Sequence, residues 1–254
     1  MDLNYNFTLF LLIFLRMSGC ILQNPIFGRK NVPVIFRIAL SVALTVFTYP
    51  YVPVQTVQIH SALVFTVCAV KEFLIGFLVS LLMQMTQSVI IMAGEQMDMQ
   101  IGISMSKIYD PQSNISMPLS ASLMNAMFML IFFLTNSHLT LMQFFVKLGS
   151  AVPYGDAPLP ANLFGKMVSC FGVMLIYSAK LCLPMIAVET VSEIGVGILM
   201  TAVPQIDIFT IEIQIKLIIG FFTTMVLVPP LASFIEKLIG VMFQNTSAFY
   251  SMLT

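Results

Sequence analysis

The sequence predicts an all-α membrane protein with about six hydrophobic segments that form bent helical hairpins. Three observations lead to this fold class: few charges, high hydropathy and long apolar runs. Of the 254 residues, 59% are hydrophobic and 9% are charged, and the mean hydropathy is +0.98. A soluble domain has about 25% charged residues because its surface must stay hydrated. The formal net charge is zero, which gives no indication of a nucleic-acid partner.

The apolar runs are the candidate helices, since a bilayer core about 30 Å thick requires about 20 residues of helix. The runs are residues 5–22, 34–49, 61–93, 119–148, 163–203 and 211–243. The first lacks the basic flank and cleavage site of a signal peptide, so we expect it to be retained. The third is either one tilted helix or two helices broken near residues 83–87. The fourth is interrupted at residues 136–138, and the fifth is expected to bend at Pro184, whose ring removes a helix hydrogen bond. Without a linker between the runs, the sequence predicts one domain over residues 1–254.

Charged side chains lie inside the hydrophobic runs. Among them are Arg16, Arg37, Lys71, Glu72, Lys180, Glu189, Glu193 and Lys216. An ionised side chain at the bilayer centre costs about 2.5–3.5 kcal/mol on insertion scales, so these groups should face protein or water. The candidate interface charges among them are Arg16, Glu72, Lys180, Glu189 and Glu193. They form ion pairs at subunit interfaces, extend as charged side chains from the segment ends to the membrane surface, or relay ions or protons; no chain of Asp, Glu and His connects them.

Residues 96–106 have a pattern of their own. Met97, Met99, Ile101, Ile103 and Met105 alternate with polar or small residues, which is the period of extended chain. Met97, Ile101 and Met105 also have helical spacing, so the periodicity leaves both conformations open. Non-helical backbone at membrane depth occurs only where it is buried in protein or lines a cavity. The polar interruption at residues 94–118 is therefore either a pore lining or plug, or an amphipathic connector at the membrane interface.

The sequence indicates no catalytic, metal or cofactor site, so we predict that the protein is not an enzyme. The four cysteines lie in apolar runs without metal-binding or redox spacing, and two histidines are too few for a metal cluster. Neither an H-E-x-x-H motif nor a G-x-S-x-G elbow is present.

Short motifs follow one another over nearly the whole chain. They read R-M-S-G at residues 16–19, N-P-I-F-G at 24–28, N-V-P at 31–33, E-F-L-I-G at 72–76, A-G-E-Q-M-D-M-Q-I-G at 93–102, D-P-Q at 110–112, N-S-H at 136–138, L-P at 183–184 and P-Q-I-D-I-F at 204–209. In this order they resemble the FliR family, the R/T-type export-gate subunit of flagellar and virulence type III secretion systems. Glu95 and Asp207 depart from the residues usual in flagellar relatives, whereas D-P-Q at 110–112 favours the flagellar branch.

The resemblance implies a core subunit of a protein export gate in the bacterial inner (cytoplasmic) membrane, at the flagellar basal body or the base of a secretion system. The implied partners are P-type and Q-type export-gate subunits, the B/U-type switch subunit and unfolded substrates in transit, with no nucleic acid and no cofactor. In relatives, the loop that matches residues 102–118 closes the channel as a plug. The gate residues that follow are Met97, Met99, Ile101, Ile103, Met105, Tyr109, Asp110 and Pro111.

The residues alone leave one alternative function, an autonomous secondary transporter of a small solute. Such a protein would require two matching halves with broken helices around a site at the bilayer midplane. Pro184 with Glu189 and Glu193 is the feature that favours it, and no internal match between halves accompanies them.

Overall fold

The computed structural model describes residues 3–29, 32–52, 61–103, 108–110, 115–155, 162–202 and 208–253. These residues form seven α-helices and one short antiparallel hairpin, which confirms the predicted all-α membrane fold. The helices are α1 (Leu3–Leu22), α2 (Val34–Thr48), α3 (Ala62–Ile101), α4 (Leu119–Leu134), α5 (Ser137–Ala151), α6 (Leu163–Ala202) and α7 (Ile208–Tyr250). The hairpin consists of β1 (Ile108–Asp110) and β2 (Ile115–Met117), and a 3-10 turn, Tyr49–Tyr51, follows α2.

The long helices are less interrupted than the sequence suggests. α3 is a single helix of 40 residues, and it continues through Gly94 to Ile101. Of the two conformations that the periodicity leaves open for residues 96–101, the structure has the helical one, in which Met97 and Ile101 continue the buried face of α3 at helical spacing. α6 likewise continues through Pro184 as one helix.

The fourth apolar run is divided into two helices at its polar interruption, as the sequence predicts. α4 ends at Leu134 and α5 begins at Ser137. Asn136 lies between them with φ 54°, in the left-handed region. Asparagine enters this region more readily than most residues because its short side chain can hydrogen-bond locally. The N-S-H motif thus marks the break between α4 and α5.

Four helices in the described part of the chain are long and apolar enough to cross a bilayer, and the bent α4–α5 pair makes a fifth if it counts as one span. Only 22–28% of each of the four stretches is buried within the chain. Large apolar side chains such as Ile35, Phe164 and Met225 are more than three-quarters exposed. A contiguous apolar surface of this kind has to be covered by lipid or by other protein.

Contacts divide the chain into two compact units. Unit 1 comprises Met1–Thr86, Thr135–Cys170 and Gly240–Thr254, and unit 2 comprises Gln87–Leu134 and Phe171–Ile239. The single domain expected from the sequence stays a prediction.

Within unit 1, α1 and α3 touch backbone to backbone at Gly19 and Gly76. A Cβ atom on Gly19 would lie 2.6 Å from the carbonyl oxygen of Phe73, and one on Gly76 would lie 2.9 Å from the backbone nitrogen of Cys20. Ser80, one turn beyond Gly76, donates its hydroxyl to the carbonyl oxygen of Gly19 at 3.1 Å. Only small residues permit so close a helix crossing.

Within unit 2, α6 and α7 form an antiparallel pair. Three contacts define its register: Glu193 bonds to Lys216, the Glu189 carboxylate lies against Gly220, and the rings of Tyr177 and Phe234 meet edge to face. The residue numbers thus decrease along α6 while those of the contacting residues on α7 increase, which is the order of an antiparallel pair.

Candidate functional site

A buried carboxylate joins the last turn of α3, where the next segment starts, to the first turn of α4. Asp98, 1% exposed in the last turn of α3, accepts the backbone N–H of Ser120 at 3.2 Å from each carboxylate oxygen. The Ser120 hydroxyl also donates to Asp98. Ser120 is the second residue of α4, where N–H groups have no partner within the helix and a negative charge is favoured by the helix dipole. Asp98 thus joins the end of α3 to the start of α4.

Gly94 brings the same two helices together one turn earlier. A Cβ atom on Gly94 would lie 2.5 Å from Cα of Ala121, so no larger residue fits without a shift of the backbone. Between Gly94 and Asp98, the Gln96 side-chain oxygen accepts a hydrogen bond from the Cys182 thiol on α6 at 2.7 Å. The G-E-Q-M-D stretch therefore connects three helices of unit 2.

Residues 102–118 leave α3 through a defined helix cap and return through a strand. Gly102 has φ +89°, which L-residues rarely adopt. The N–H of Ile103 bonds to the carbonyl of Asp98, and that of Gly102 bonds to the carbonyl of Met99, which is the Schellman arrangement. β1 and β2 then pair with Ile108 opposite Met117. We call residues 102–118 the hairpin segment; its two ends are fixed beside each other by Asp98.

The predicted gate residues lie in different environments. Met97 and Ile101 are each 1% exposed inside unit 2, whereas Met99 is 64% exposed. An extended strand would place these three side chains on one face, but the helical conformation separates them. Ile103 is half-buried just beyond the helix. Tyr109 and Asp110 belong to β1, and Met105 and Pro111 lie outside the described residues.

Two of the candidate interface charges bind each other inside unit 1. The Nε–H of Arg16 donates to Glu72 Oε2 at 2.6 Å, and both side chains are fully buried. Each pairs with the other within the chain, and a role for either of them at a subunit interface stays a prediction. The R-M-S-G motif of α1 and the E-F-L-I-G motif of α3 thus form one contact, in which Arg16 meets Glu72 and Gly19 meets Gly76.

This ion pair also holds the chain that follows α5. The other guanidinium N–H groups donate to the carbonyls of Leu148, Val152 and Pro153 at 2.9–3.1 Å. Glu72 Oε1 accepts the N–H of Gly155 at 2.8 Å. The Tyr154 ring covers the guanidinium, with 3.8 Å between its centroid and the Arg16 Cζ atom. Burial raises the pKa of Tyr154 well above its ordinary value, although the nearby Arg16 cation opposes this, so the phenol stays neutral beside the ion pair.

The three remaining charges of the predicted set differ in their surroundings. Lys180 is exposed on α6. Glu193 bonds to Lys216 at 2.7 Å, and Lys216 also bonds to Glu212 at 2.9 Å. Glu189 is fully buried, and neither of its carboxylate oxygens has a hydrogen-bond partner within the described residues. Nor does any group of three His, Cys, Asp or Glu side chains in that part of the chain come close enough to hold a metal ion.

Sequence reasoning missed the partners of the site residues. Ser120 stands at the start of an apolar run and Lys216 is one of several embedded charges, and the sequence alone gives no partner for either. The Pro118–Leu119–Ser120 sequence could have indicated a helix N-terminus that needs a capping group. Nothing in the sequence indicates that the cap comes from Asp98, 22 residues away.

Known proteins match the chain over nearly all of its length. Residues 7–242 match the family described as bacterial export proteins, family 1. The flagellar biosynthetic protein FliR of Escherichia coli K12 is 28% identical over 239 residues, 94% of this chain and 91% of the relative. The proteins of that name from Pectobacterium carotovorum and Bacillus subtilis are 26% and 27% identical, over 95% and 87% of this chain and 92% and 86% of the relatives. The resemblance seen in the motifs is thereby confirmed, and the chain belongs to family 1 of the bacterial export proteins.

Proposed function

We propose that this chain is a core subunit of the flagellar protein export gate, and that it forms part of the channel through which unfolded substrates leave the cell. Family membership and relatives named for flagellar biosynthesis support this. The exposed apolar faces of the long helices are the surfaces on which further subunits would assemble.

In this proposal the hairpin segment, residues 102–118, closes the channel at rest. A conduit wide enough for an unfolded chain leaks ions unless apolar groups exclude water from it. The observation that carries the proposal is the anchored base of the hairpin, where Asp98 caps α4 and Gly102 caps α3. Such caps also occur in ordinary helix connections; here they fix both ends of the segment beside each other, as a plug that has to be held in register requires. Met99, the most exposed of the described gate side chains, lies at this base and offers a flexible thioether to the channel.

The partners of the proposed gate are the P-type and Q-type subunits, with the B/U-type subunit docked onto the assembled core. The place of the complex is the inner membrane at the base of the flagellum. No enzymatic step is assigned to this chain, so its contribution is to shape and close a conduit.

Assembly is the first test. A tagged copy of the full chain, expressed in its own bacterium, should copurify with the P-type and Q-type subunits. Deletion of the gene should abolish extracellular filament protein, and re-expression should restore it. Normal filament export in the deletion strain would contradict the proposal. A chain that is stable alone and moves a small solute into vesicles would instead support the secondary transporter.

A further inference from the structure

A buried carboxylate on α6 lacks a partner among the described residues. Glu189 is fully buried in unit 2, and neither of its oxygens accepts a hydrogen bond in that part of the chain. Burial of an ionised group is costly unless a partner replaces the water that it loses. Any arrangement of unit 2 that brings a cation to Glu189 is therefore favoured.

Lys216 on α7 lies one helical turn from the level of Glu189. It bonds to Glu193 at 2.7 Å, whereas the Glu189 carboxylate lies against Gly220. The step between the two acids on α6 and the step between the two positions on α7 are each four residues long. One helical turn is about 5.4 Å, and the flexible four-carbon stem of a lysine allows its ammonium group to move along the helix by this amount.

The present partners of Lys216 hold it weakly. Its ammonium group bonds to Glu193 and, at 2.9 Å, to Glu212, and the side chains of these acids are 39% and 32% exposed. Ion pairs that water can reach contribute little to stability, because each charge is well solvated without the other. Little is therefore lost when the ammonium group leaves them.

A glycine lies between the lysine and the buried carboxylate. A Cβ atom on Gly220 would lie 3.0 Å from Glu189 Oε1 and 2.7 Å from Cγ1 of Ile101. Because Gly220 has no side chain of its own, the Ile101 side chain and the Glu189 carboxylate share the space beside it. An ammonium group that moves from Lys216 towards Glu189 enters this space and displaces a side chain rather than a backbone.

We propose that Lys216 exchanges between two partners on α6, Glu193 in the present structure and Glu189 in a second state of the same helix pair. Two arrangements that differ by one helical turn are a known form of conformational switch. In the second state Ile101, the last residue of α3, moves aside for the ammonium group. The exchange thus connects the charges of α6 and α7 to the helix end from which the hairpin segment leaves. It takes place whether or not that segment closes a channel.

Removal of the present partners of Lys216 should populate the second state. Glu193→Gln combined with Glu212→Gln leaves Glu189 as the acid within one turn of the lysine. Adding Glu189→Gln should then lower the thermal midpoint of the purified complex, although the same substitution alone preserves or raises it. Glu236→Gln, at an exposed position of α7, is the control and should have the same small effect in both backgrounds. An equal effect of Glu189→Gln in both backgrounds would overturn the proposal.

The position of the ammonium group can be followed by reductive methylation of the full chain with its copurified subunits, measured by mass spectrometry. The Lys216 side chain is 18% exposed in the present structure. In the variant that lacks Glu193 and Glu212 it should react more slowly, because it has moved to a buried acid, and Glu189→Gln should restore its reaction. Lys237, exposed on α7, should react equally throughout. Methylation of Lys216 that is unchanged or faster in that variant would mean that the lysine is only released, and it would overturn the proposal.

Discussion

The Asp98 carboxylate accepts both the backbone N–H and the hydroxyl of Ser120, and it does so from the last turn of a different helix. The contact closes a loop of the chain at its base, because Asp98 lies in the helical turn before the hairpin segment and Ser120 lies in the helical turn after it. The direction of the hairpin segment is therefore fixed by the end of α3 and the start of α4. These two helix ends cannot separate without exposing the buried carboxylate of Asp98.

Asp98→Ala should loosen the hairpin without unfolding the helices. The substitution removes a charge-assisted cap, which is worth about 1–3 kcal/mol. The backbone amides of residues 102–103, 115–117 and 119–120 should then exchange hydrogen for deuterium faster, as measured by mass spectrometry on the purified complex. Ser120→Ala, which keeps its N–H group, should have a smaller effect in the same direction. Gln84→Ala, at an exposed position of the same helix, is the control. Equal exchange in all three variants would show that Asp98 does not anchor the hairpin.

Breaking the Arg16–Glu72 pair should destabilise unit 1 strongly. Removal of one partner of a buried ion pair costs about 3–5 kcal/mol, because the other charge is left unpaired. Glu72→Gln and Arg16→Met should each lower the thermal midpoint of the complex in detergent. The thermal midpoint of the double variant should fall by less than the sum of the falls in the two single variants. Lys71→Met, a partly exposed neighbour, should change the midpoint little. Additive losses in the double variant would mean that the two side chains do not depend on each other.

Gly76→Ala should disrupt the crossing of α1 and α3. The new methyl group would overlap the backbone of α1 near Arg16 and Cys20, and overpacking of this kind costs about 1–3 kcal/mol. Gly172→Ala is the matched control, since a Cβ there meets nothing within 4 Å in the described structure. Because alanine favours helix over glycine by about 1 kcal/mol, the control should stabilise the protein slightly. The thermal midpoints of the two variants, measured side by side, should shift in opposite directions. Shifts in the same direction would contradict the close contact at Gly76.

Glu189→Gln should raise or preserve the stability of the complex. A buried carboxylate without hydrogen-bond partners among the described residues carries a desolvation penalty that the neutral amide largely avoids. Glu193→Gln should lower stability by less than about 1 kcal/mol, because its pair with Lys216 is partly exposed. Thermal midpoints test both changes. Export that keeps its dependence on the proton gradient in both variants is expected. Normal assembly with gradient-coupled export abolished in Glu189→Gln would favour a proton relay.

The helices could be predicted from the sequence because burial in lipid imposes long apolar runs. The break at Asn136 and the close approach at Gly76 and Ser80 could also be anticipated, since conformation and side-chain size are local properties. Periodicity could not decide the conformation of residues 96–101, where the same residues fit both repeats. Packing favours the helical conformation, because Ile101 then fills the space that Gly220 leaves open on α7.

The ion pair and the helix cap lay beyond sequence reasoning for a different reason. Arg16 and Glu72 are 56 residues apart, and any of the embedded acids could have paired with Arg16 as far as charge is concerned. The choice depends on the glycines beside them, which let α1 and α3 approach closely enough for the two side chains to meet. The charge of Arg16 predicts that it has an acidic partner, and the backbone contacts between α1 and α3 determine that the partner is Glu72.

The resting ion permeability of cells that contain the assembled complex tests the proposed closure by the hairpin segment and by Met99 at its base most directly. Met99→Ser combined with Met105→Ser should make the channel leak small ions even without substrate, because hydroxyl groups admit water where thioethers exclude it. Export should continue, since the conduit remains. Met252→Ser, a partly exposed methionine near the end of the chain, should leave permeability unchanged. Permeability that stays at the resting level in a fully assembled double variant would contradict closure by these methionines, and the hairpin segment would then be a connector.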